Sequence, residues 1–89
     1  MRHLRIERID SPLGGPIEVS ILDNEKKIGV MKAEENVFAG TISKGEHAIQ
    51  VEMVNENGRF RSNSYFAIGG KDVALNMTIS GSRITLTVK

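Results

Sequence analysis

Residues 47–66 decide the fold, and they read HAIQVEMVNENGRFRSNSYF, with apolar and polar side chains alternating around an Asn-Gly pair. Alternation with a period of two is typical of β-strands that bury one face. In the strand expected from His47 to Asn55, it places Ile49, Val51 and Met53 on the same side. The stretch is therefore expected to form two antiparallel strands joined by a tight turn.

The turn between these strands is predicted from Asn57-Gly58. This dipeptide favours a type I′ turn, because both central residues of that turn take a positive φ. The turn would set the register of the hairpin, with Ile49 opposite Phe66 and Glu52 opposite Asn63. Phe66 would then belong to the core.

A second hairpin is predicted at the C-terminal end, where Gly81-Ser82 fits a type II′ turn. Turn chemistry and cross-strand pattern agree on one register there, which is evidence that the register is real. The predicted pairs are Leu75 with Val88, Met77 with Leu86 and Ile79 with Ile84 on one face, and Thr78 with Thr85 on the other.

Three more strands are expected at residues 4–9, 17–21 and 37–42 of the N-terminal half. The segment Ser-Pro-Leu-Gly-Gly-Pro at 11–16 separates the first two, because proline cannot donate to a ladder. Residues 33–36 are too short to stand as a helix and are expected to connect strands.

Asp23–Lys26 predicts a further turn, after which Ile28 and Val30 resume the alternation. In the expected register Ile21 faces Ile28 and Val19 faces Val30. Both strands would then carry their apolar side chains on one face of the sheet.

Seven or eight short strands without intervening helices predict an all-β fold. A length of 89 residues suits a single domain spanning 1–89. We expect a small antiparallel β-sandwich, because one apolar face per strand suits two sheets packed together. A partly closed barrel is the alternative that the pattern leaves open.

Composition narrows the possible partners. A net charge of +1 gives no field that favours nucleic acid or an anionic membrane as a partner. The absence of cysteine excludes disulfides and thiol chemistry. The N-terminus has no apolar run of signal-peptide length, and no stretch approaches the length of a membrane helix. A cytoplasmic location is therefore expected if the chain is full-length.

Two stretches together resemble PEGA-like and related immunoglobulin-like β-sandwich domains of bacterial proteins. They are residues 18–29, a strand, an acidic turn and a strand ending in Ile-Gly, and residues 42–51, with a Gly-x-His-x-Ile-x-Val turn. The resemblance covers residues 17–79, although Asp23-Asn24 stands where an Asp-Gly is usual. It implies an immunoglobulin-like sandwich with a structural or interaction role and no catalytic residues.

His3 and His47 are the histidines of the chain, and their spacing matches no zinc motif. We expect His47 to pack a turn, with a ring nitrogen bonded to a backbone carbonyl. An acidic residue beside His47 in a deep pocket would instead indicate catalysis. No catalytic residue, metal site or cofactor is predicted.

A polar stripe of Arg59, Arg61, Asn63 and Tyr65 is the one candidate binding surface. The predicted hairpin places Arg61, Asn63 and Tyr65 on a face with Gln50 and Glu52. Such a face could bind a glycan or an acidic peptide. The alternative is a solvated sheet face with cross-strand Glu–Arg pairs.

The sequence predicts a non-catalytic structural or protein-interaction module, with polar-ligand binding at the stripe as the alternative. Partners would be an unidentified protein or a second copy paired through an edge strand. The first strand and the segment after Pro16 are the candidate edges.

Overall fold

A computed structural model describes residues 1–9 and 17–89, and the described chain folds into strands without a helix. The predicted break at 11–16 lies outside the described residues. The strands are β1 (Arg2–Arg8), β2 (Val19–Asp23), β3 (Lys26–Met31), β4 (Val37–Ile42), β5 (His47–Asn55), β6 (Gly58–Arg61), β7 (Tyr65–Ala67), β8 (Val73–Ser80) and β9 (Arg83–Val88). These nine strands in the described residues exceed the expected seven or eight.

The strands form two sheets, which confirms the all-β class and the two-sheet arrangement. One sheet has the order β4-β1-β8-β9, and the other has the order β3-β2-β5-β6 with β7 also paired to β5. The expectation of purely antiparallel sheets is wrong, because β1 runs parallel to β8. The expected edges are wrong as well: β1 lies between β4 and β8, and β2 lies between β3 and β5.

The core lies between the two sheets and follows the period-two pattern. Ile49, Val51 and Met53 of β5 are buried as predicted, and β1 and β8 likewise turn one set of alternate side chains inward. The remaining core residues are Leu4, Ile6, Val19, Ile21, Met31, Ile42, Ala67, Val73, Leu75, Met77, Ile79, Ile84 and Leu86. Among the described residues, no helix is long and apolar enough to cross a membrane.

The β8–β9 hairpin has the predicted register at every predicted pair. Leu75 faces Val88, Met77 faces Leu86, Ile79 faces Ile84 and Thr78 faces Thr85. Gly81 takes a φ of 61°, which the first central position of a type II′ turn requires. Strand β4 at Val37–Ile42 and the connection over 33–36 are also confirmed.

The β5–β6 hairpin turns one residue earlier than Asn57-Gly58 predicts. Asn55 pairs with Gly58, so Glu56 and Asn57 are the central residues. Asn57 is not at a positive φ, whereas Gly58 has a φ of 127°. The predicted type I′ turn at Asn57-Gly58 is therefore wrong.

The returning strand is divided into β6 and β7 at Ser62, which bonds Val51 through both its backbone and its side chain. The Ser62 amide donates to the Val51 carbonyl at 2.9 Å, and the Val51 amide donates to Ser62 Oγ at 3.0 Å. The register then shifts by one residue, so Glu52 faces Arg61 but Ile49 faces Tyr65. The predicted pairs of Ile49 with Phe66 and Glu52 with Asn63 are wrong, because the displaced turn moves the register by two residues and the shift at Ser62 restores only one of them.

The β2–β3 hairpin contains a bulge that the alternation did not predict. Ile21 faces Gly29 and Val19 faces Met31, so the expected pairs with Ile28 and Val30 are wrong. A Cβ built on Gly29 would lie 2.5 Å from the ring of Phe38. The bulge therefore places the residue without a side chain under Phe38.

Candidate functional site

The predicted polar stripe does not form one surface. Arg59 and Arg61 face Val54 and Glu52 across the β5–β6 pair, on the outer side of the five-stranded sheet. Tyr65 lies beyond the register shift and packs against the core from the inner side. The face shared by Arg61, Asn63 and Tyr65 is therefore a wrong prediction, and its cause is the break at Ser62.

Arg61 forms hydrogen bonds with two carboxylates of the same chain. Its Nε donates to Glu52 at 2.7 Å, and its Nη1 donates to Glu25. The hydrogen bonds that Arg61 donates, first the one to Glu52 and then the one to Glu25, raise the pKa of Arg61. Arg59 also lies 3.9 Å from Glu52. The alternative of cross-strand Glu–Arg pairing is confirmed. In this arrangement the Glu52 side chain is 11 % exposed.

Asn63 bonds the opposite sheet instead of facing the solvent with Arg61. Its Nδ2 donates to the Leu86 carbonyl at 3.0 Å, and its Oδ1 accepts from the Leu86 amide at 2.8 Å. These groups lie on the side of β9 away from β8, because the β8–β9 ladder bonds use the alternate residues. Asn63 thus occupies the place that a neighbouring strand would take.

His47 lies between an acidic residue and a main-chain carbonyl. Its Nδ1 is 2.8 Å from both carboxylate oxygens of Asp23, and its Nε2 is 2.9 Å from the Ser43 carbonyl. The bond to a backbone carbonyl confirms the predicted turn-packing role. The Asp23 partner was not predicted, because the pairing of β2 with β5 brings it to His47.

Ser43 Oγ lies 3.2 Å from Nε2 of His47, so the three side chains resemble a nucleophile, a base and an orienting acid. The nearer Ser43 carbonyl can only accept, so in the tautomer with a hydrogen on Nε2 that hydrogen is donated to the carbonyl, and Nε2 has no lone pair for the hydroxyl proton. Through these contacts His47 connects the β4–β5 turn to the end of β2.

Arg2 holds the same end of the molecule together. Its side chain is buried, and its guanidinium donates to the carbonyls of Ser43 and Gly45 on one loop and of Ile68 and Lys71 on another. Fork-shaped donors of arginine suit several acceptors at once. The Ser43 carbonyl accepts from both Arg2 and His47, so β1 and β5 are linked across the two sheets.

An open depression of about 470 Å³ adjoins this end of the five-stranded sheet. Phe66 and Ile68 line it and are 68 % and 70 % exposed, so the prediction that Phe66 is core is wrong. The His47 ring is on its wall, and the depression is open to the solvent. Among the described residues, no three acidic or histidine side chains cluster as metal ligands would.

Comparison with known proteins gives no identity. No protein-family model, curated protein or solved structure matches this chain. The features of a β-sandwich that most often meet partners are its sheet edges.

The strands of the described residues leave four sheet edges, and three of these carry features that oppose strand addition. The β3 edge has Lys26, Lys27 and the bulge. The β6–β7 edge is divided into pieces of four and three residues. The β9 edge is occupied at Leu86 by the Asn63 side chain. Lysines, bulges, short strands and covering groups are the usual protections of exposed edges.

In residues 1–9 and 17–89, none of these features is found at the β4 edge. Val37–Ile42 is regular over six residues, pairs with β1 without a shift and contains no charged residue or proline. The Arg8 amide donates to the Asn36 carbonyl, which fixes the even-numbered residues of β4 as those bonded to β1. The amides and carbonyls of Val37, Ala39 and Thr41 therefore point away from the sheet.

Within residues 1–9 and 17–89, no backbone hydrogen bond outside the strand ladders involves Val37, Ala39 or Thr41. The side chains of Ala39 and Thr41 are exposed on the outer face. The inner face is closed by Phe38, whose ring lies against Gly29 and Gly40. The candidate functional site is this edge, and the sequence signal that could have found it is a strand without charge.

Proposed function

We propose that this chain is a non-catalytic protein-interaction module that adds an extended strand of a partner at the β4 edge. The carrying observation is the row of outward backbone groups at Val37, Ala39 and Thr41 on a regular, uncharged edge strand. Main-chain hydrogen bonds supply the affinity in this mode of recognition, and alternate side chains supply the specificity.

The other edges support the proposal by contrast. A chain that only had to stay monomeric would be expected to protect all four edges, since an unprotected edge is an aggregation hazard. Here three edges are blocked by Lys26 and Lys27, by the break after Arg61, and by Asn63. An interaction role explains why the fourth is left regular.

The two other functions have less support. The polar-ligand function needs Arg61 available, and its guanidinium bonds Glu52 and Glu25. An enzymatic function needs His47 to act as a base, and its Nε2 faces the Ser43 carbonyl. The immunoglobulin-like and PEGA-like assignment remains part of this proposal, supported by the two-sheet all-β architecture alone.

Amide hydrogen exchange, measured by NMR on a dilute sample, tests whether the edge is open. The amides of Val37, Ala39 and Thr41 should exchange fast, while those of Phe38 and Gly40 should be protected by β1. Adding a synthetic peptide of alternating threonine and valine, with a lysine at each end, should slow the three outward amides. Equal protection of both sets before the peptide is added would overturn the proposal, because another part of the chain would then cover β4.

Ala39→Pro removes an outward amide that the β1 ladder does not use, so the peptide should no longer protect β4. Val88→Pro is the matched control, because its amide also points outward, at the other edge of the same sheet. If the Ala39→Pro variant does not fold, Ala39→Lys places a charge on the same edge and should weaken the peptide in the same way. Loss of peptide protection in the control, but not at position 39, would contradict the proposal.

A further inference from the structure

We infer that the partner strand at the β4 edge is β4 of a second copy of this chain, antiparallel and centred on Ala39. The inference rests on the proposed function, because it needs the β4 edge to accept a strand. It goes further by stating the partner, the register and the symmetry. Two four-stranded sheets would join into one continuous eight-stranded sheet across a twofold axis.

The outward backbone groups of β4 are self-complementary about Ala39. The outward residues are Val37, Ala39 and Thr41, so Ala39 is the central one. With Ala39 opposite Ala39 of the second copy, Val37 lies opposite Thr41 at both ends. Each of these opposed pairs is of the hydrogen-bonded kind, which exchanges two backbone bonds. Every outward amide and carbonyl of the three residues is then paired.

The inner side chains fit the same register. Phe38 of each copy lies directly opposite Gly40 of the other, since the two positions are equidistant from Ala39. Gly40 has no side chain, and a Cβ there would lie 3.0 Å from the ring of its own Phe38. A partner strand with a large residue at this position would crowd the ring, whereas glycine leaves room for it.

The outer side chains also accept this register. Val37 and Thr41 are both β-branched, and such residues favour strands and pack well across them. Ala39 meets Ala39, which leaves space beside the axis. Arg5 lies next to Ala39 on β1, so the two Arg5 side chains would be separated by three strand spacings, about 14 Å. That distance exceeds the screening length of about 8 Å at physiological salt, and like charge does not oppose the pairing.

A cysteine cross-linking experiment tests the register directly, because the chain contains no cysteine of its own. Directly opposed residues of a hydrogen-bonded pair have Cα atoms about 5.5 Å apart, inside the range of about 4.4–6.8 Å that a disulfide spans. Under a glutathione redox buffer, the Ala39→Cys variant should form a disulfide dimer. The Val88→Cys variant, on the β9 edge of the same sheet, is the matched control and should remain monomeric.

The register is tested by mixing two variants. Val37→Cys and Thr41→Cys should cross-link to each other when mixed, because those positions are opposed, and each alone should stay mostly monomeric. Adding Phe38→Lys to Ala39→Cys should abolish the Ala39 dimer, since a charge would replace the ring opposite Gly40. Equal cross-linking of Ala39→Cys and Val88→Cys, or of the single and mixed variants, would show random collision and overturn the inference.

The outcomes separate this inference from the proposed function. If the threonine-valine peptide protects Val37, Ala39 and Thr41 but Ala39→Cys stays monomeric, the edge accepts a strand and the second copy is not its partner. If the peptide does not bind and no dimer forms, both proposals fall. Sedimentation of the wild-type chain over a concentration series should show a monomer–dimer equilibrium, which Ala39→Pro removes and Val88→Pro leaves in place.

Discussion

The two long hairpins, β5–β6–β7 and β8–β9, have equally clear sequence patterns, but only the second has the register that its pattern predicts. In β8–β9 the turn at Gly81-Ser82 and all four predicted pairs occur as expected. In β5–β6–β7 the turn is displaced by one residue, and the returning strand is broken at Ser62. The contrast shows when local turn chemistry decides a register and when it is overruled.

The β8–β9 ladder runs without a register shift from the Leu75–Val88 pair to the Ser80–Arg83 pair, and the side chains of Thr78 and Thr85 face each other on the outer side. In the other hairpin, Ser62 and Asn63 offer their own side-chain acceptors and donors to backbone groups. Short polar side chains compete with ladders in this way.

The bulge at Ser62 also decides which surfaces exist. It directs Arg61 outward to Glu52, Asn63 sideways to Leu86 and Tyr65 inward to the core. Without it the predicted polar stripe would have been a continuous face. One residue of register shift thus removes the candidate ligand surface and protects the β9 edge at the same time.

The largest predicted effect comes from Ser62→Ala. This change removes the hydroxyl that accepts the hydrogen bond of the Val51 amide. That amide is buried, and the Val51 side chain is 0 % exposed. Leaving a buried donor unpaired should lower the free energy of unfolding by about 2 kcal/mol, measured by urea denaturation. Ser82→Ala, in the exposed turn of the other hairpin, should change it by less than about 0.5 kcal/mol. Equal effects would mean that the Ser62 bond does not hold the bulge.

Asn63→Ala is expected to have the next largest effect. It removes both hydrogen bonds to Leu86 and should cost about 1 kcal/mol of unfolding free energy. It should also raise the exchange rate of the Leu86 amide, measured by NMR. Asn63→Asp is the informative comparison, because it keeps the acceptor for the Leu86 amide and loses the donor to the Leu86 carbonyl. A Leu86 amide that exchanges no faster in Asn63→Ala would contradict the edge-covering role.

The β5–β6 turn predicts different effects on stability at two neighbouring residues, neither of them larger than the effect of Asn63→Ala. Gly58→Ala should destabilise by about 1 kcal/mol, because the φ of 127° is outside the range that alanine adopts easily. Asn57→Ala should change stability by less than about 0.5 kcal/mol, since Asn57 does not take a positive φ. A type I′ turn at Asn57-Gly58 would instead make both substitutions costly. Thermal unfolding of the two variants distinguishes these cases.

The smallest effect is electrostatic and belongs to the C-terminal end of β9. Lys89 donates to Glu7 at 2.9 Å, and this hydrogen bond, followed by the charge of Lys89, lowers the pKa of Glu7. A lowered folded-state pKa means that the pair stabilises the fold above the pKa of the unfolded chain. That stability is lost as the pH falls through the folded-state pKa.

Lys89→Ala should therefore raise the pKa of Glu7 toward its ordinary value, measured by NMR titration of the side chain. Lys27→Ala, on the edge strand of the other sheet, is the control and should leave Glu7 unchanged. A Glu7 titration that is the same in wild type and Lys89→Ala would show that the ion pair does not persist in solution.

The strand that forms the candidate site could be predicted from the sequence, but its position at a sheet edge could not. The strand at Val37–Ile42 was predicted with the observed bounds, and its lack of charge is visible in the sequence. Whether it is an edge depends on which strands lie beside it, and the expected edge β1 proved to be central. Neighbour order is set by packing between distant segments, so a period-two pattern cannot supply it.

The Asp23–His47 contact shows the same limit. His47 was predicted to bond a carbonyl, and it does so at Ser43, four residues away. Its acidic partner comes from the end of β2, which reaches β5 only because those two strands pair. Contacts within a turn follow from the local sequence, whereas contacts between strands require the sheet.

By itself the sequence determined the all-β class, most of the strands, the inward faces and the β8–β9 register, because alternation and turn residues act over a few residues. Only the tertiary structure decided the parallel β1–β8 pair, the bulges at Ser62 and Gly29, and the identity of the open edge. The physical reason is that a backbone amide donates its hydrogen bond to whichever acceptor the assembled fold places beside it. In this chain the side chains of Ser62 and Asn63 are among those acceptors.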